Sequence, residues 1–140
     1  MSELFLLDKS ALARIGRNEA ARQAFFSLDE VGILATCAIV DLEVGYSARS
    51  LADYETTTTS RREMYTDLPL GPAVFRRARH VQHELAARGQ HRGPGIRDLV
   101  IAACAEIHDA VIVHYDRDFD TIAAVTGQAS RWLLPAGSIG

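Results

Sequence analysis

The sequence predicts an α/β fold, a three-layer α/β/α sandwich with a central parallel sheet of about four strands and a helical arm. Three observations predict it. Short apolar runs of strand length alternate with longer segments of helical periodicity, the order that builds a parallel sheet covered by helices. The runs are apolar nearly throughout, as strands buried on both faces are. The 140 residues, 48% of them hydrophobic, can fill one core, and no internal repeat or Pro/Gly/Ser linker divides residues 1–140 into more than one domain.

The elements follow in order. LFLLD (4–8) is a strand by length and apolarity, and Ser10 is placed to cap a helix starting at Ala11. A second helix runs from Glu19 to Leu28, and VGILAT (31–36) is the second strand. Residues 38–51 form a helix apolar on nearly all sides, continued to about Tyr65 by an arm that the four threonines 56–59 weaken without breaking. Pro69, Gly71 and Pro72 interrupt the pattern. Residues 73–89 are then an amphipathic helix closed by Gly89, HRGPG (91–95) is a loop, and 96–109 is a helix. The strand AVIVH (110–114), a polar turn (115–120), a short helix (121–127) and a last strand RWLL (131–134) complete the chain.

Composition narrows the function classes. Aromatic content of 7% and charged content of 24% exclude collagen-like, mucin-like and wholly disordered chains. The longest uncharged apolar run, residues 31–40, falls short of the roughly 20 residues that span a bilayer. The N-terminus lacks a basic stretch and a long apolar core, so a cytoplasmic location is expected. Cys37 and Cys104 lie far apart in apolar surroundings, without paired spacing, and read as reduced core residues.

The formal charge of −3 is unevenly spread. Residues 61–97 hold eight arginines against three acids, while the remainder holds seven basic against fifteen acidic residues. Such a chain suits a protein that holds cations in one place and a polyanion in another.

Four carboxylates stand where ionised groups are costly. Asp8 closes the first strand and Asp116 follows the third by one residue, so both should face the crevice beyond the carboxyl ends of the sheet. Glu43 lies among Ile39, Val40, Leu42, Val44 and Tyr46, and Asp98 opens a helix whose same-face neighbours are Ile101, Ala102 and Ala105. Each has an ordinary alternative: Asp98 as a first-turn residue favoured by the helix dipole, Asp8 as a cap, Glu43 at an exposed edge. Jointly they describe converging acids. Only Lys9 is at hand to pair with them, and an arginine would have to come from other segments, so mutual repulsion raises their pKa values until a cation neutralises them. Oxygen-only donors favour Mg²⁺ or Mn²⁺. The run Asp116 to Asp120 is not an EF-hand loop, because Thr121 and Gly127 stand where glycine and glutamate are required.

At these residues the chain resembles the PIN-domain nucleases and, within them, the VapC-type toxins of toxin–antitoxin pairs. The resemblance spans nearly the whole length and rests on LLDKSAL (6–12), VDLEVGYSA (40–48), GPGIRDLVIAACAE (93–106) and VHYDRDFDTIA (113–123). It implies a PIN-like fold in which Asp8, Glu43, Asp98 and Asp116 are catalytic and hold Mg²⁺ or Mn²⁺, Asp118 adds a metal contact, and Ser10 lies beside the site. It further implies an endoribonuclease cutting a loop of transfer or ribosomal RNA, a homodimer, and a cognate antitoxin protein as partner. Arg76, Arg77 and Arg79 on the basic arm are expected to position the RNA backbone. Where many relatives carry Thr or Ser two residues before the late aspartate, this chain has His114. The rival expectations are a non-catalytic RNA- or protein-binding module with the same fold and a DNA-directed phosphodiesterase with the same metal chemistry.

Overall fold

A computed structural model describes residues 2–139; Met1 and Gly140, the ends of the expected 1–140 domain, lie outside the described residues. Five strands form one all-parallel sheet, where the sequence predicts about four. The chain runs β1 (Glu3–Leu7), α1 (Lys9–Ile15), α2 (Glu19–Val31), β2 (Gly32–Thr36), α3 (Ala38–Tyr46), α4 (Leu51–Met64), β3 (Thr66–Asp67), α5 (Pro72–Ala87), α6 (Ile96–Ile107), β4 (Ala110–His114), α7 (Arg117–Thr126) and β5 (Ser130–Trp132). The sheet order is β3-β2-β1-β4-β5, which puts β1 at the centre with β2 and β4 beside it.

Strand alternation divides the core into two layers. Leu6, Ala35 and Ile112 point to one face, where α3, α5, α6 and α7 cover them with Val40, Val74, Leu85, Ile101 and Phe119. Phe5, Leu7, Leu34 and Val113 point to the other, under Ala11 of α1 and Ala21, Phe25 and Leu28 of α2. The reduced thiols of Cys37 and Cys104 are both buried in the first layer, as their apolar settings predict.

Four sequence expectations need correction. Asp8, not Ser10, caps α1: its extended backbone lets the carboxylate accept the Ser10 amide at 2.9 Å. The helix expected over 38–51 ends at Tyr46, and Ser50 starts a separate helix by accepting the Asp53 amide at 3.1 Å. The last helix begins at Arg117 rather than Thr121, because the Asp116 side chain accepts the Asp118 amide and caps it four residues earlier. The last strand is Ser130–Trp132, and the extra strand β3 is a two-residue edge too short and too polar to show a periodicity.

The arm helix α4 buries no residue, and Leu51, Tyr54 and Met64 are exposed along it. Leu68 beyond it is core. Gly45 lets α4 approach α3: a β-carbon there would meet the Tyr54 ring at 2.9 Å. Arg61 completes that join, donating to Thr36 Oγ1 at 2.9 Å and to Asp41 Oδ1 at 3.0 Å while its guanidinium stacks over Tyr65.

Candidate metal and active site

The carboxyl ends of β1 and β4 open onto a cleft lined by acids. β1 delivers Asp8 one residue past its end and β4 delivers Asp116 two past, and the two strands are hydrogen-bonded neighbours. The N-terminus of α6 supplies Asp98 at its third position, and the first turn of α7 supplies Asp118. Carboxylate oxygens of Asp98, Asp116 and Asp118 lie within 4.8 Å of one another, a separation one cation can bridge. Asp8 stands at the side of this trio, near enough for its charge to act on both Asp98 and Glu43.

Three of these acids are held by the same device. Asp8 Oδ2 accepts the Ser10 amide at 2.9 Å, Asp98 Oδ2 the Gly95 amide at 3.2 Å, and Asp116 Oδ1 the Asp118 amide at 2.9 Å. One oxygen of each carboxylate is spent on its own helix start, which fixes the direction of the other. The Ser10 hydroxyl accepts the Tyr115 amide at 2.9 Å, stitching the turn after β1 to the turn after β4 across 105 residues of chain. Ser10 thus ties the turn that carries Asp8 to the turn that carries Asp116.

Electrostatics mark Asp98. It is 9% exposed, and desolvation, reinforced by the charges of Asp8, Asp116 and Asp118 and opposed by the Gly95 amide, pushes its carboxyl up to about 6. Burial, with the neighbouring Asp116, also raises Asp118. Among the described residues no arginine or lysine pairs with Asp8, Asp98, Asp116 or Asp118.

Glu43 departs from the expectation that these acids lack an internal partner: the Arg97 guanidinium forms an ion pair with it. The pairing arginine precedes Asp98 by one residue, in the same segment. Burial still raises the Glu43 carboxyl, with Arg97 acting against it. Lys9 reaches the same corner, donating to the Glu43 carbonyl at 3.3 Å and to Ser47 Oγ at 2.6 Å. Lys9 is the one base the sequence puts near these acids, whereas the Arg97 contact has no sequence signal, because a partner 54 positions away leaves no local periodicity.

The three arginines of the basic arm separate. Arg76 and Arg79 are exposed on α5. Arg77 is instead committed to Glu106 of α6 through two hydrogen bonds, at 2.5 and 3.2 Å, and is only partly exposed. Its spacing from Arg76 turns it a hundred degrees around the helix, toward α6 rather than solvent.

The residues present fit a hard divalent cation: an all-oxygen set, close together, partly desolvated, and without a basic side chain to neutralise it. An acid-lined cleft at the carboxyl edge of a parallel sheet defines the class, and comparison with known proteins gives the family. Residues 5–125 match the family model of the PIN domain. Ribonuclease VapC51 of Mycobacterium tuberculosis is 45% identical over 139 residues, which cover 99% of both chains. VapBC2 from Rickettsia felis, solved bound to a DNA fragment from its promoter, superposes with a TM-score of 0.77 at 15% identity, over 92% of this chain and 98% of that one. VapBC-5 of M. tuberculosis, from the VapBC family of toxin-antitoxin systems, does so with a TM-score of 0.62 at 24% identity, over 92% and 96%. The chain belongs to the PIN-domain family and, within it, to the VapC ribonucleases.

Proposed function

We propose that this chain is the toxin of a toxin–antitoxin pair, an endoribonuclease that cuts RNA at a cleft holding Mg²⁺ or Mn²⁺. The observation that carries the reading is the convergence of Asp98, Asp116 and Asp118 within 4.8 Å, without a basic partner among the described residues. Relatives over 99% of the chain bear the name ribonuclease, and neighbours in fold are components of toxin-antitoxin systems.

In this reading Asp98, Asp116 and Asp118 hold the metal, with Asp8 completing the set from β1. A bound divalent cation supplies activation of water and neutralisation of the phosphodiester charge. Asp8, Asp98 and Asp116 keep their free oxygens directed into the cleft by spending the others on backbone amides. Glu43 borders the site, and its bond to Arg97 holds a guanidinium at the rim, where it meets an incoming phosphate. Arg76 and Arg79 carry the RNA backbone farther out; Arg77 keeps α5 on α6. The partners are an RNA substrate, a cognate antitoxin and a second copy of the chain, and the protein acts in the cytoplasm. No helix among the described residues is long and apolar enough to cross a membrane.

The test is cleavage of total cellular RNA by the purified protein with Mg²⁺, with Mn²⁺, with EDTA, and by Asp98→Asn. Discrete fragments that need metal and vanish in the variant are expected. Cleavage that persists in EDTA or in the variant would overturn the site, and cutting of DNA in place of RNA would overturn the substrate.

A further inference from the structure

We propose that His114 is a positioning residue for the nuclease centre: its Nδ1 accepts the amide N–H of Asp116 and so fixes the turn that brings the Asp116 carboxylate to Asp98 and Asp118. This inference rests on the reading of Asp116 as a metal-holding acid. The contact is 3.2 Å, from a backbone amide that can only donate. Nδ1 must therefore be bare, and the ring proton sits on Nε2. That nitrogen faces Ser130 Oγ at 3.0 Å, a hydroxyl able to accept from it, with the Asp120 Oδ1 acceptor 4.0 Å away. The Asp116 amide on one side of the ring sets the tautomer, and the Ser130 hydroxyl on the other accommodates it.

The ring itself cannot turn. His114 is wholly buried, with its centroid 5.0 Å from those of both Phe119 and Trp132. The Trp132 indole N–H donates to both carboxylate oxygens of Asp120 at 3.1 Å, which anchors the acceptor beyond Nε2. A ring flipped by half a turn would set a C–H against the Asp116 amide and a second C–H against Ser130.

The consequence for the site follows from the order of amides along the turn. The Tyr115 amide is held by Ser10 Oγ from α1, the Asp116 amide by His114 from the end of β4, and the Asp118 amide by Asp116 Oδ1. Three of the four amides between 115 and 118 are thereby fixed, and the second oxygen of Asp116 has one direction left. Removing the His114 acceptor leaves a part-buried amide without that partner at the base of a carboxylate whose placement matters to a fraction of an ångström. A sequence with His at this position satisfies the amide by a ring nitrogen two bonds from Cβ; an asparagine Oδ1 stands at the same remove.

That equivalence supplies the test. H114F keeps the ring between Phe119 and Trp132 but puts carbon where the acceptor was; H114N restores an acceptor but leaves a gap where the ring was. Mn²⁺ affinity, measured by titration calorimetry with the metal alone, and the unfolding temperature are read for both. H114F is expected to bind Mn²⁺ about tenfold or more weakly, the usual effect of losing a residue that orients a metal-holding group. H114N is expected to unfold at a lower temperature yet bind Mn²⁺ within about threefold of wild type, a change well below that tenfold loss. A purely structural role predicts that metal affinity follows stability in both. Wild-type affinity in H114F, or a loss in H114N as large as in H114F, overturns the inference. A long-range ¹⁵N–¹H spectrum of the wild-type protein needs no variant: a proton on Nε2 is expected, and one on Nδ1 overturns it. A wild-type protein that binds no Mn²⁺ overturns the metal reading of the site and this inference with it, whereas Mn²⁺ binding untouched by H114F overturns this inference alone.

Discussion

Replacing Asp98 by asparagine should stabilise the metal-free protein at neutral pH while abolishing cleavage. The carboxyl stands at about 6 against an ordinary value of 3.8 because it is desolvated and faces Asp8, Asp116 and Asp118. At about 1.4 kcal/mol per pH unit, ionising it in the folded protein costs about 3 kcal/mol relative to the unfolded chain. The pH course follows from the sign. Below 3.8 the group is protonated in both states and costs nothing; as pH rises from 3.8 to about 6 only the unfolded chain releases the proton, and stability falls; above about 6 the deficit is constant. Asparagine keeps an oxygen for the Gly95 amide and has no charge to lose, so it removes the deficit without removing the bond. For a chain of this size the gain corresponds to an unfolding temperature higher by roughly 10 °C at pH 8. Thermal unfolding in EDTA of both proteins from pH 3.5 to 8 reads it, and Mn²⁺ should then raise the wild type and not the variant. A variant less stable than wild type at pH 8, or a difference unchanged between pH 3.5 and 8, would refute the argument that this acid is held against repulsion.

Four further outcomes follow from other contacts. Reversing Arg76 and Arg79 to glutamate should reduce the salt dependence of RNA binding, the log–log slope becoming shallower by about 1.4 for two lost phosphate contacts, with stability unchanged; Arg77→Glu should instead cost roughly 2 kcal/mol in denaturant unfolding, since it sets a carboxylate against Glu106. Gly32→Ala should lower stability by about 2–3 kcal/mol in the same experiment, because the added carbon would stand 2.5 Å from the Phe5 ring and 2.6 Å from the Glu3 carbonyl in the neighbouring strand. Asp116→Asn and Asp116→Ala should be equally inactive on RNA, yet only the alanine loses the cap on α7, at about 1 kcal/mol.

The layers of the fold were legible in the chain because buried parallel strands are continuous apolar runs, and LFLLD and AVIVH admit few other readings. The acids were legible because each sits at a strand end or a helix start, positions that the same runs locate. What the chain hides are contacts whose partners are remote. Arg97 reads as one more cation of a basic arm, and only the packing of α6 beside α3 turns it to Glu43. Arg61 and Arg77 vanish into ion pairs for the same reason, which shrinks the basic surface that charge counting suggests. β3 is set by its neighbour β2, with two residues and no pattern of its own.

The misplacement of two helix starts is instructive, because both errors arose at site residues. Ser10 and Thr121 look like ordinary helix beginnings, yet the caps are Asp8 and Asp116, two of the acids assigned to the cleft. From the sequence alone, capping and metal holding look like rival explanations of Asp8. The structure makes them compatible, since a carboxylate has two oxygens and a cap uses one. The amide bonds also oppose the repulsion among acids that lack basic partners, and each uses only one of the two oxygens. An aspartate serves both roles; a serine cap of equal strength would hold the helix and offer no charge to a cation. The strain that remains is concentrated where this arrangement is weakest, at Asp98, whose desolvation outweighs its one amide bond.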